Sequence, residues 1–297
     1  MKGGQPTRYA CAVSTAGPLA LPPPVASDPG LVERIVRSPG RFCLATLAIT
    51  TLGLALDRYA DLGVQLLLAA CAWGFLAIAF VYLTPMERAQ TSVVVVVATM
   101  AEVIGSVIWG IYSYRLGNLP LFVPPGHGLV YLTGLRLSQT RWPAARPRAF
   151  VGLAIAVVSG WALLGLLVLD RRDVAGAVGA AVLVVFLLRG RAPAVYAGVF
   201  FAVAYLEIYG TAVGTWTWAT EVPGLGVADG NPPSGAAGGY VFFDIAALYL
   251  APPLLAGWAA LRSRLDPSAA VDGRVVAEEP DPPGVAQALG QQAANGR

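Results

Sequence analysis

The chain has 297 residues, of which 56% are hydrophobic and only 12% charged, about half the charged fraction of an average soluble domain. That balance excludes an ordinary water-soluble enzyme and points to a polytopic membrane protein. A formal charge of +3, with basic residues scattered between apolar segments and not gathered into a stripe, excludes nucleic acid as a partner.

Residues 1–40 are interrupted by Pro22, Pro23 and Pro24. They contain no 7–15-residue apolar core of a cleavable signal, so they read as an irregular cytoplasmic tail. Apolar segments then follow at 42–56, 63–84, 91–114, 120–138, 149–169, 174–189, 194–218 and 240–262. A hydrocarbon core of about 30 Å needs about 20 helical residues, so the expected fold class is all-α: a transmembrane helix bundle of about eight spans within residues 41–264. The fourth segment opens LPLFVPPGHG, and paired prolines suit only a first helical turn. Its helix is expected to run from near Pro125 to near Gln139, too short to span, with LPLFV entering as irregular backbone and carrying His127 below the surface. Residues 265–297 are small, polar and rich in Pro and Gly, which predicts a disordered cytoplasmic tail. Cys11, Cys43 and Cys71 lack metal-ligand spacing; Cys43 and Cys71 read as small core residues, and neither a metal site nor a cofactor is expected.

Nineteen of the 20 basic residues are Arg, as a GC-rich bacterial genome would encode. With the N-terminus inside, 16 basic residues fall on inner segments and 4 on outer loops, namely Arg58, Arg115, Arg171 and Arg172. The positive-inside bias therefore places both termini in the cytoplasm of a bacterial cell and the bundle in its inner membrane.

Two segments resemble one another. EVIGS at 102–106 and EIYGT at 207–211 each lead to a Gly-x-aromatic-x-aromatic run, GIYSY at 110–114 and GTWTW at 214–218, with a one-residue difference in spacing. Each lies in the third span of a four-span half, which suggests a 4+4 parallel internal repeat with halves 41–140 and 148–264. On a regular helix Glu102, Gly105, Ser106 and Trp109 would share one face, and Tyr112 and Tyr114 would point to nearly opposite sides, as would Trp216 and Trp218.

Of 17 acidic residues only Glu102, Glu207 and Asp244 fall within spans. A charge at the bilayer centre costs at least about 2.5–3.5 kcal/mol, so such groups are paired, protonated or turned to a cavity. These three and His127 are the candidate catalytic residues of an outward-facing polar pocket; Trp109, Tyr112, Arg115, Trp216, Trp218 and Asn231 are the candidate substrate contacts. Arg115 would serve as counter-ion, and the NPP turn at 231–233 as a lid. A purely structural network that fixes helix register competes with this reading.

The run Glu102, Gly110, Tyr112, Tyr114, Pro120, Pro124 resembles the carotenoid-biosynthesis membrane hydratases of the bisanhydrobacterioruberin-hydratase type over about 25 residues. The chain also resembles uncharacterised polytopic proteins of actinobacterial type. The spacing from Glu to Gly looks shorter here, and the second copy carries Trp where Tyr would be expected. The resemblance implies acid-catalysed chemistry on an isoprenoid: a buried carboxyl keeps its proton near neutral pH and delivers it to an alkene carbon, and aromatic faces steady the cation. Two other classes fit the same residues: a proton- or cation-coupled transporter of a small solute, and a non-catalytic subunit of a cell-envelope complex. Membrane lipids are the partners common to all three.

Overall fold

The computed structural model describes residues 30–265; the expectations for residues 1–29 and 266–297, including Cys11, lie outside them. Proline opens four of the long helices: α2 (Pro39–Asp57), α4 (Pro85–Glu102), α7 (Pro147–Leu167) and α9 (Pro193–Val213). At a first helical position its missing N–H costs nothing and its fixed φ suits the helix. Side-chain caps start two more and reinforce α4. Asp61 accepts from Val64 N at 2.8 Å to begin α3 (Leu62–Tyr82), and Asp173 accepts from Gly176 N at 3.0 Å to begin α8 (Val174–Arg189). Thr84 and Glu87 form a reciprocal capping box on α4, satisfying two otherwise orphaned N–H groups.

Among the described residues six helices are long and apolar enough to cross a membrane: α2, α3, α4 with its extension to Trp109, α7, α9 and α10 (Ala236–Leu265). The protein is a membrane-embedded all-α bundle. Two further helices, α5 (Val123–Ser138) and α8, have 16 residues each, about 24 Å at 1.5 Å per residue. α5 begins and ends within two residues of its expected bounds. α10 carries Pro252 and Pro253 inside one continuous helix.

Three expectations are corrected. The segment before residue 41 is not wholly irregular: α1 (Leu31–Arg37) is helical, held by the Glu33–Arg37 pair at 2.9 Å and by burial of Val36. A short helix, α6 (Arg141–Ala145), also occupies the link between α5 and α7. Cys71 is exposed on the outer side of α3, whereas Cys43 is half-buried with its Sγ 3.6 Å from Thr133 O. The third correction concerns both Glu-bearing helices, which stop well before residues 114 and 218 because Gly110 (φ 73°) and Gly214 (φ 80°) take the left-handed conformation that ends a helix.

The main core gathers side chains of α4, α5, α7, α8, α9 and α10, including Val94, Tyr131, Val158, Leu183, Phe200 and Val241. α5 and α9 meet backbone to backbone. A methyl on Gly134 would lie 2.6 Å from Val199 Cα, and one on Gly198 would strike the carbonyl of Gly134. Small residues at such a crossing permit the close approach that helix packing in lipid relies on. At the end of the bundle where α5 finishes, Arg136 bonds Glu87 at 2.9 Å and ties α4 to α5.

Candidate functional site

Beyond Gly110 and Gly214 the chain forms two three-residue strands, β1 (Tyr112–Tyr114) and β2 (Trp216–Trp218). They pair antiparallel with Tyr112 opposite Trp218, Ser113 opposite Thr217 and Tyr114 opposite Trp216. Arg115 N to Thr215 O (3.0 Å) and Ala219 N to Ile111 O (2.8 Å) extend the ladder at both ends. A second small ribbon, β3 (Glu221–Val222) with β4 (Val227–Ala228), follows in the connection to α10.

In a strand, residues two apart share a face, which reverses the helical expectation for the aromatic pairs. Ser113 and Thr217 are exposed, and all four aromatics turn inward. Tyr114 and Trp216 are buried together with Leu54 of α2, and Tyr112 packs on Trp218 with ring centroids 4.6 Å apart and planes tilted by 49°.

The two carboxylates lie beneath this ladder. Glu102, 8% exposed, accepts from Tyr114 Oη at 2.8 Å through Oε2, and its Oε1 lies 2.9 Å from His127 Nε2. Glu207, 5% exposed, receives two bonds on Oε2, from Trp216 Nε1 and Trp218 Nε1, each at 3.0 Å. Each carboxylate is therefore held by the aromatics that follow its own helix.

The one-residue difference in spacing has a structural counterpart. Residues Val103–Trp109 form a π-helical turn, with Gly110 N bonded to Gly105 O, whereas α9 is regular from Glu207 to its end. A π turn takes up a single extra residue. It also breaks the shared face expected for Glu102 and Trp109: Trp109 is 45% exposed and donates to Pro223 O at 2.9 Å, away from the carboxylate.

His127 is the junction of the site. Its Nε2 meets Glu102, its Nδ1 is buried with no partner among the described residues, and its ring lies 5.2 Å from Tyr240 and 5.8 Å, edge-on, from Phe243. Asp244 follows Phe243 on the buried face of α10, 2% exposed, with Oδ2 unpartnered among the described residues. The structure thus brings Glu102, His127, Tyr112, Glu207, Trp216 and Trp218 around the ladder, whereas Asp244 lies one turn beyond Tyr240 on α10 and contacts none of them by hydrogen bond. No match is found among protein-family models, curated proteins or solved structures.

Other expected contacts are placed elsewhere. Arg115 is no counter-ion to the membrane carboxylates; its guanidinium donates to Ala60 O and lies 4.0 Å from Asp57. That aspartate also accepts from Gln65 Nε2 at 3.0 Å. The loop carrying Asn231 is fixed. Asn231 Oδ1 accepts from Trp218 N at 3.0 Å, and Asp173 accepts from Gly230 N at 3.0 Å and from Ser234 N at 2.7 Å. Sequence reasoning named Tyr114 in a motif without seeing it as the donor to Glu102, and it missed Tyr240, Phe243 and Asp173. One signal was present: Tyr240 and Asp244 are four residues apart on the eighth segment, as His127 and Tyr131 are on the fourth.

Proposed function

We propose that the protein is an integral membrane enzyme in which Glu102 and His127 form the acid–base couple acting on an apolar lipid or isoprenoid substrate. One observation carries this reading: a buried imidazole with one nitrogen on a buried carboxylate and the other free. The carboxylate orients the ring, and the free Nδ1 is left to exchange a proton with a bound molecule. In an alkene hydration the couple gives its proton to one carbon of the double bond, and the faces of Tyr240 and Phe243 steady the cation on the other. Water adds there and returns a proton to the couple, so the cycle closes without oxidant or cofactor. Glu207, held by two N–H donors, stays an acceptor and fixes the ladder.

The finer organisation belongs to the same proposal: eight membrane-embedded helices in two four-helix halves, with both ends on the cytoplasmic side of a bacterial inner membrane. The matching ends of α4 and α9, each an αL glycine, a strand and a carboxylate bonded to that strand, support descent of the halves from one ancestor. So does the symmetric register of the ladder.

The test compares lipid extracts of cells that express the protein, Glu102→Gln or His127→Asn. Loss of one product in both variants, with folded protein retained, is expected; normal turnover in both refutes the scheme. The unpartnered Asp244 favours a second reading, proton-coupled carriage of a small solute. It predicts pH-gradient-driven uptake into vesicles that fails in Asp244→Asn, with lipid composition unchanged.

A further inference from the structure

A cavity of about 510 Å³ opens at the ladder end of α7 and α9, separate from the Glu102–His127 pair. Its wall follows one stripe of α7 through Ala156, Gly160, Trp161 and Leu164, with Ile208 of α9 opposite. Leu164 and Ile208 are 51% and 53% exposed, so the groove is open along its side to the hydrocarbon around the bundle. Its size falls within the ~300–1,000 Å³ of small-molecule sites. The polar lining gathers at one end, where Arg171, Asp173 and Asn231 meet.

The charges at that end decide what the mouth accepts. Arg171 Nε donates to Asp229 O at 2.6 Å and its Nη2 to Trp218 O at 2.9 Å and to Ala219 O, so the guanidinium is already spread over three carbonyls. Asp173 and Asp229, each 2% exposed, flank it. Burial and the neighbouring Asp173 push the Asp229 carboxyl up to about 6, which leaves it mainly ionised at pH 7. Two carboxylates against one cation repel a phosphate or carboxylate head group. Asn231 is exposed, and its amide nitrogen makes no hydrogen bond among the described residues; it is a free donor for a hydroxyl or ether oxygen.

We propose that the α7–α9 groove binds an uncharged lipid with one long apolar chain, the chain lying along Ala156–Leu164 and its oxygen-bearing end at Asn231. This site stands whatever chemistry occurs at Glu102. Gly160 supplies the test, because a Cβ built there meets no atom within 4 Å; a larger side chain would enter the groove and not the protein. Gly152, on the same helix, is equally free of neighbours and does not line the cavity.

The purified full-length chain in detergent is titrated with oleyl alcohol, oleate or dioleoylphosphatidylglycerol at pH 7, and bound molecules are counted by native mass spectrometry. One alcohol molecule is expected per chain. Gly160→Trp should weaken it at least tenfold, while Gly152→Trp and Glu102→Gln leave it unchanged. Asn231→Ala, which removes the amide donor together with the acceptor of Trp218 N, should weaken the alcohol and leave octadecene unaffected, which tests the mouth even if Gly160→Trp does not fold. Binding by Gly160→Trp equal to that of the unaltered chain overturns the proposal, as does tighter binding of oleate or the phospholipid.

Discussion

Deleting Ile108 should be tolerated, whereas deleting Ile208 should not. Both residues lie on outward helix surfaces, 73% and 53% exposed, between a buried carboxylate and the glycine that ends its helix. Glu102 and Gly110 are eight positions apart, Glu207 and Gly214 seven. Removing Ile108 makes the first spacing equal to the second, so the π turn can close as α-helix with Tyr114 still above Glu102. The cost should be that of an exposed side chain, about 0.5 kcal/mol. Removing Ile208 from the regular α9 rotates everything beyond it by ~100° and draws it back by ~1.5 Å. Trp216 and Trp218 then lose Glu207, and a hydrogen bond broken with its partner left buried costs about 1–3 kcal/mol, so the loss of the two is roughly 2–6 kcal/mol. For a protein of this size 1 kcal/mol corresponds to about 2–4 °C in Tm. Thermal unfolding of the purified variants, followed by tryptophan emission, should show ΔIle108 within about 3 °C of the parent and ΔIle208 lower by more than about 4 °C. Equal destabilisation would refute the assignment of the extra residue to the π turn.

A double-mutant cycle on Glu102→Gln and His127→Ala should show single losses of about 3–5 kcal/mol, since each leaves a buried partner, and a double variant less destabilised than their sum by about 1–3 kcal/mol; additive losses in a melting experiment would mean the two do not interact. In Gly210→Ala the new methyl runs into the Trp216 ring, and overpacking of this kind costs about 1–3 kcal/mol. The matched control Gly239→Ala, with no atom within 4 Å of the added carbon, should melt with the parent. The Asp229 carboxyl is raised from 3.8 to about 6 by burial and by Asp173, so the folded state holds this proton more tightly than the unfolded one. Stability should therefore rise as pH is lowered through about 6 toward 4, by up to about 3 kcal/mol. Asp229→Asn should remove that part of the slope in Tm measured against pH, and an unchanged slope would count against it.

Much of the bundle was legible in the sequence because its determinants are local. Proline at helix starts, Asp61 and Thr84 before apolar runs, and stretches of about 20 apolar residues act within a few turns, and they place most helices to within a few residues. The short fourth helix followed from Pro124 and Pro125, whose rings admit only a first turn. Glu102, Glu207 and Asp244 could also be singled out, since an ionisable group amid apolar text carries a solvation cost whatever the fold.

The ends of α4 and α9 were misread for a physical reason. GIYSY and GTWTW have the aromatic content of a membrane interface, and three residues are too few to show a strand's alternation. Their extended form depends on pairing with each other across about a hundred residues, a term that no local window contains. That pairing in turn fixes which aromatics reach which carboxylate, and why the longer of the two segments must absorb a residue as a π turn. Composition and local chemistry determined on their own that the chain forms membrane helices bearing buried acids. Only the tertiary structure decided what holds those acids, because their partners arrive on backbone that becomes ordered when the two distant segments meet.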